Sequence, residues 1–186
     1  MEKFYLELPS ARRKDEIIDY INEFVTFNSD INGTGSLDKI LEGWTFEQAL
    51  ERCLNMQYED YAKKFGRCQG KTFLLIRESD NKIVGSINVR WNLSEQMKRF
   101  GGNIGYGIRP TERRKGYNKI NLYLGLIEAQ KIGLDKVMLD CDVNNLGSAR
   151  TMQALGGVLE RTEVDPYDGL LTSVYWFNVD ETIEKY

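Results

Sequence analysis

The sequence has no histidine among its 186 residues. That removes Ser-His-Asp triads, Cys-His dyads and histidine metal clusters, and leaves Asp, Glu, Tyr, Cys, Lys or water to move protons. Cysteine is scarce too. Cys53, Cys68 and Cys141 are odd in number, widely spaced and form no CxxC pair. This argues against a disulfide framework or a metal site and for reduced thiols in a cytoplasmic setting. No apolar run reaches the roughly 18 residues of a membrane span. The opening MEKFYLELPS lacks the charged-then-apolar order of a signal peptide. A basic excess is also missing: the net charge is −3, which disfavours nucleic acid as the main partner. Repeats, low-complexity tracts and Pro/Gly/Ser linkers are absent. What is present, 41% hydrophobic and 28% charged residues over a chain of this length, fits one folded domain spanning 1–186.

Periodicity sets out the elements. KFYLEL (3–8) reads as a strand ended by Pro9. Ser10 opens a helix to about residue 27 with Ile17, Ile18, Ile21, Phe24 and Val25 on one face. NSDINGTGSLD (28–38) reads as a loop. Thr45 and Gln48 fit a capping box for a helix that Gly66 ends. KTFLLIRE (71–78) and IVGSINVRW (83–91) form a hairpin, and a polar connection follows. GNIGYGIR (102–109) is a glycine-rich strand in which Gly105 and Gly107 suggest a bulge or a close backbone approach. A helix follows to Gly133, with Ile120, Tyr123, Leu124 and Ile127 at helical spacing. KVMLDCDV (136–143) is a strand, Asn145 caps a short helix ended by Gly156 and Gly157, and 158–164 with 171–179 form a last antiparallel pair. The fold class is mixed α/β with a largely antiparallel sheet.

The run Arg113-Arg114-Lys115-Gly116-Tyr117-Asn118 stands immediately before an amphipathic helix. Free N–H groups and the positive end of the dipole make a helix N-terminus an anion site, and Gly116 lets the backbone curl into a nest. A solvated basic turn is the competing reading. A nucleotide-binding P-loop is excluded, because no Gly-Lys-Ser/Thr follows the glycine.

The pattern Arg113-x-x-Gly116-x-Asn118, after a strand ended by Arg109-Pro110, resembles the acetyl-CoA pyrophosphate loop of the GNAT N-acetyltransferase superfamily. Asn145-x-x-Ser148 at the next strand–helix junction resembles its second signature. The similarity covers about residues 71–179 and is best to a poorly characterised bacterial branch carrying stretches like GSINVRWNLSEQ and GGNIGYGIRPTERRKGY. The resemblance implies a GNAT fold, acetyl-CoA as co-substrate without a metal, and transfer of acetyl to a primary amine of a small molecule or peptide. It implies that the Ile108 N–H polarises the thioester carbonyl beside Arg109. It further implies that N–H groups from Arg114 to Lys119 cradle the pyrophosphate, with Arg113, Lys115 and Tyr117 in the same loop. Asn145 and Ser148 touch the pantetheine or hold the strand junction. Glycines 105 and 107 would let the cofactor backbone come close.

Three positions depart from the pattern. Asn118 stands where Gly or Ala is usual. Met152 occupies the place of a tyrosine that protonates the leaving thiolate. Asn103 stands where relatives in the branch have histidine. Proton carriers must therefore come from elsewhere, and Asp140, Asp142 and Tyr106 are the candidates, with Asp142 as base and Tyr106 as acid. Cys141, flanked by aspartates, is expected in the core rather than as a nucleophile. Acidic loops suggest a cationic acceptor, and the resemblance implies a possible homodimer, since the last strands of such folds often pair between subunits. An acyl-CoA-binding or interaction module without turnover is the alternative.

Overall fold

The apolar stripe near the N-terminus becomes a helix laid across a sheet. The structure, a computed structural model, describes residues 2–186. Strand β1 (Phe4–Glu7) leads through a 3-10 turn into α1 (Lys14–Thr26). Ile17, Tyr20, Ile21 and Phe24 are buried, whereas Val25 lies exposed at the helix end. Ser10 caps nothing: it precedes the 3-10 turn, and its hydroxyl is buried without a partner. Residues 28–36 are a loop, and a 3-10 segment, Leu37–Glu42, follows.

The Thr45–Gln48 capping box is present at the start of α2 (Phe46–Asn55). The helix does not run on to Gly66. It breaks after Asn55, and α3 (Glu59–Lys64) starts separately. The break lets the Met56 carbonyl accept the Gly70 N–H at 3.1 Å, which ties the junction to the next strand.

Strands β2 (Gln69–Arg77) and β3 (Lys82–Trp91) form the expected hairpin. The short helix α4 (Glu95–Arg99), capped by Ser94, interrupts the connection to β4 (Ile104–Ile108). After the basic turn come α5 (Tyr117–Lys131), β5 (Lys136–Asp142), α6 (Leu146–Ala154), β6 (Val158–Val164) and β7 (Leu171–Asn178). The last strand ends one residue early and turns into α7 (Val179–Lys185), capped by the Asn178 side chain. Among the described residues, no helix is long and apolar enough to cross a membrane.

The strands form two antiparallel sheets, ordered β1-β2-β3-β4 and β5-β7-β6. Alternation sends Ile87 and Val89 of β3 towards α5, and Ser86, Asn88 and Arg90 towards α1 and α2. One core therefore holds Ile87, Val89, Leu122, Leu126, Val137, Leu139, Met152 and Phe177. The other holds Ile17, Tyr20, Phe24, Leu37, Phe46 and Leu74. In α5 the fully buried positions are Asn121, Leu122, Gly125, Leu126 and Ala129, rather than the expected Ile120–Ile127 stripe, which is half-buried. This helix has neighbours on several sides, so apolar spacing alone does not single out one face.

Candidate active site

Strand β4 is the edge of the first sheet, and beyond it the chain splays away from β5. The two strands meet only at their start. The Asn103 N–H donates to the Met138 carbonyl at 2.7 Å, and the Met138 N–H donates to Asn103 Oδ1 at 2.9 Å. Asn103 Nδ2 then donates to the Arg90 carbonyl at 3.0 Å. Asn103, placed by sequence only as a missing histidine, is the clasp from which the cleft opens.

The β3–β4 register decides what the cleft offers. Arg90 N–H donates to Asn103 O, and Arg109 N–H donates to Val84 O. In an antiparallel pair, hydrogen-bonded positions alternate with positions facing away. Tyr106, opposite Ile87, and Ile108, opposite Gly85, therefore aim their backbone N–H groups outwards into the cleft. Arg113 confirms the direction, since its Nε donates to the Ile108 carbonyl at 3.1 Å.

The missing side chains of Gly105 and Gly107 face the opposite way. A Cβ on Gly107 would stand 2.8 Å from the Asn32 carbonyl oxygen. Gly33, at φ +79°, lies so close that its own Cβ would meet Tyr106 Cα at 2.7 Å. The expectation that these strand glycines admit a cofactor is corrected: they admit the 31–35 loop of this same chain.

The basic turn uses its charges unevenly. Arg109 is buried, with its guanidinium against Asp19 at 2.9 Å and Glu23 at 3.3 Å on α1. With its N–H also engaged, it has turned away from the cleft, contrary to the role inferred from the family pattern. Arg113 reaches inwards to Ile108 O and to Ser29 Oγ at 2.7 Å. Lys115 pairs with Glu112 at 2.8 Å. Burial alone would raise the Glu112 carboxyl, but Lys115, Lys82 and Arg77 hold it down at about 2. Tyr117 packs on Phe4 at 4.7 Å, and Lys119 lies over the Tyr186 ring at 4.4 Å. Asn118 donates to Thr151 Oγ1 at 3.3 Å, which turns its side chain towards α6. Arg114 alone of the three consecutive cations has no side-chain hydrogen bond or ion pair among the described residues.

What the turn does present is backbone. Arg114 (φ +64°) and Gly116 (φ +82°) are left-handed, and a Cβ on Gly116 would meet open space. The N–H groups of Arg114, Lys115, Gly116, Tyr117 and Asn118 have no acceptor among the described residues. They end at the N-terminus of α5, whose first turn carries no acidic residue. Together with Arg114 they form a cradle for an anion.

On the α5 side of the cleft, the Tyr106 hydroxyl lies 2.7 Å from Ser148 Oγ. Burial raises the phenol well above its ordinary value, so it stays protonated. Ser148 also gives its N–H to Asn145 Oδ1 at 3.1 Å, so Asn145 caps α6 as its spacing suggested. Cys141 lies beside Ser148, its thiol pushed up to about 11 by burial first and by Asp140 and Asp142 after that. A protonated thiol agrees with a core role. Met152 is fully buried among apolar side chains.

The two aspartates of β5 differ. Asp142 Oδ1 accepts the Asn144 N–H at 2.6 Å and holds the turn into α6. Asp140, half-buried, accepts the Gly101 N–H at 2.5 Å, and burial raises its carboxyl above the ordinary value. Asp142 is thus occupied in its own turn, whereas Asp140 is held against the Gly101 backbone beside the start of β4. Among the described residues, no group of three His, Cys, Asp or Glu side chains is placed to hold a metal ion.

The family described as an acetyltransferase (GNAT) domain matches residues 24–158, more than half of the chain. The chain belongs to the GNAT acetyltransferase family. No curated protein matches it in sequence. Among solved structures it is similar to RimL, a ribosomal L7/L12 alpha-N-protein acetyltransferase in complex with coenzyme A. That match has 16% identity over 95% of this chain and 94% of that one, with a TM-score of 0.63. It is also similar to a spermidine N-acetyltransferase from Vibrio cholerae in complex with CoA and spermine (13%, 97% and 98%, TM-score 0.64). An acetyltransferase of the GNAT family from Bacillus anthracis matches at 16% identity over 97% and 99%, with a TM-score of 0.59. At these identities the likenesses establish the GNAT fold, a mixed α/β arrangement of antiparallel sheets flanked by helices.

Proposed function

We propose that this chain is an acetyl-CoA-dependent N-acetyltransferase for a primary amine. One observation carries the reading: the outward N–H groups of Tyr106 and Ile108 on the edge of β4 lead into the N–H cradle at Arg114–Asn118. An extended amide-bearing arm ending in a pyrophosphate has the donors it needs along that path. The sheet-edge groups would hold the arm, and the cradle with Arg114 would hold the phosphates. When bound, acetyl-CoA supplies the activated acetyl group.

The chain's own residues then divide the proton work. Of the two outward donors, the Tyr106 N–H stands nearer the Asn103 clasp and Asp140 and would serve a carbonyl oxygen, while the Ile108 N–H would hold the arm next to the cradle. The attacking amine must shed a proton, and Asp140 takes it on the α1 side. Tyr106 returns one to the departing sulfur from the α5 side, with Ser148 behind it. Tyr106 thus stands in for the tyrosine that Met152 replaces. The three free thiols fit a reducing cytoplasm.

Calorimetric titration with acetyl-CoA, with ATP as control, tests binding, and release of free CoA across a panel of amines tests turnover. Saturable binding of acetyl-CoA alone and a kcat/KM that falls on the acid side, with the limb removed by Asp140→Asn, are expected. Binding without turnover on any amine leaves the module reading instead, which the buried Met152 favours. No binding sinks the assignment of the cradle.

A further inference from the structure

A cavity of about 270 Å³ opens on the α2 side of the first sheet, away from α5 and α6. Arg52 of α2, Arg67 of the turn before β2 and Arg90 of β3 all line it, with Asp38 and Lys39 on the loop side. Asp38 already accepts the Thr34 hydroxyl at 2.7 Å, and Lys39 pairs with Glu42 at 2.5 Å. None of the three arginines forms an ion pair among the described residues. The Nε atoms of Arg52 and Arg90 are shut off from solvent with no hydrogen-bond partner. Burial pulls the Arg90 guanidinium below its usual value. Leaving a buried guanidinium unpaired is costly, and an anion removes that cost.

The cavity adjoins the reacting end of the cleft. A Cβ on Gly105 of β4 would stand 3.6 Å from Arg90 Nη2. The Gly101 peptide joins the two sides, its carbonyl accepting from Arg90 Nη2 and its N–H donating to Asp140, both at 2.5 Å. The proton acceptor and the unpaired arginine are thus one residue apart. The α5 side of the cleft is closed by Ser148 against Tyr106, so an acceptor has the α2 side for its approach.

We propose that this cavity binds an anionic group, a carboxylate or a phosphate, carried by the amine acceptor. The proposal rests on β4 being the edge that receives acetyl-CoA, and it replaces the cationic acceptor suggested by the acidic loops. An amine bearing an anion sits with that anion on Arg90, Arg52 and Arg67 and its nitrogen towards Asp140. A polyamine meets three like charges there.

Cys68 lines the same cavity, half-buried, and reports on its occupancy. Its rate of labelling by an uncharged maleimide is measured with glycylglycine, glycylglycine amide, O-phosphoethanolamine and spermidine, with Cys68→Ser as the blank. Saturating carboxylate or phosphate amine slows labelling at least about fivefold, while the amide and spermidine leave it unchanged. Protection by only one of the two anions names the anion. Arg67→Gln, on an exposed residue with no structural partner, weakens the protection, and Arg90→Lys weakens it further; Arg67→Gln keeps the test valid if Arg90→Lys fails to fold. Equal protection by the amide or spermidine, or none by either anion, overturns the proposal. Acetyl-CoA titration of the same protein separates the two readings. Anion protection without acetyl-CoA binding keeps the anion site but ends its acceptor role.

Discussion

Two parts of this molecule are rich in positive charge, and they use it in opposite ways. The turn 113–116 shows its cations as a continuous run in sequence, yet the fold engages most of them. Arg113 holds Ile108 O and Ser29, and Lys115 holds Glu112. The turn is left with Arg114 and a row of unpaired N–H groups. The cavity beside β4 gathers Arg52, Arg67 and Arg90 from three separated segments, and the fold gives none of them a carboxylate. A run of cations in sequence therefore says little about where positive charge is available. What decides is which carboxylates the fold brings alongside: Glu112 pairs within the turn, whereas Asp38 at the cavity is held by the Thr34 hydroxyl and pairs with none of the three arginines among the described residues.

The sharpest way to break this comparison is at the backbone of the turn. If N–H groups rather than side-chain charge do the work there, Gly116→Pro removes a donor and forbids φ +82°. Acetyl-CoA affinity should fall by about 100-fold or more, measured by calorimetry, with the melting temperature tracked to separate loss of the cradle from loss of fold. Unchanged affinity would show that the turn is only a basic surface loop.

The local parts of this site were legible in sequence because their residues are neighbours in the chain. The Arg113–Asn118 turn, the Asn145 cap and the strand ended by Pro110 each depend on short-range chemistry. The parts that were not legible depend on contacts between distant segments. Nothing near Asn103 announces Met138 as its partner, and only the β3–β4 register shows which N–H groups face the cleft. The strand glycines looked like room for a ligand; the close neighbour is the 31–35 loop, some seventy residues upstream in the chain. Asp140 and Asp142 are equivalent in sequence, and their difference comes from Gly101 and Asn144.

A second test asks whether the charge in the turn is engaged as described. The Glu112 carboxyl lies at about 2 in the folded protein against an ordinary 4.5. A depressed folded value means that its contribution to stability is complete above about 4.5 and is lost as the pH falls towards about 2. The shift corresponds to at most about 3 kcal/mol, less the screening of the half-exposed Lys115. Glu112→Gln should lower the unfolding free energy at pH 7 by about 2 kcal/mol in denaturant titrations. The loss should shrink as the parent is acidified. A pH-independent difference would mean that the Lys115, Lys82 and Arg77 cluster does not act through charge.

The smallest effect tests the division within the run itself. Arg114→Ala removes the one cation of the turn with no partner, and acetyl-CoA binding should weaken by about 1–2 kcal/mol, the value of a charge-assisted hydrogen bond on a partly exposed group. Arg113→Ala removes a side chain already holding Ile108 O and Ser29. It should cost stability by about 1 kcal/mol and change affinity by less than about threefold. Equal losses of affinity in both variants would mean that the turn acts as undivided positive charge, screened alike by salt. The contrast with the cavity would then be one of exposure rather than of pairing. A loss confined to Arg114 would place the difference in pairing, because these two residues are adjacent, both exposed and identical in side-chain chemistry, and their side chains differ in what the fold has put beside them.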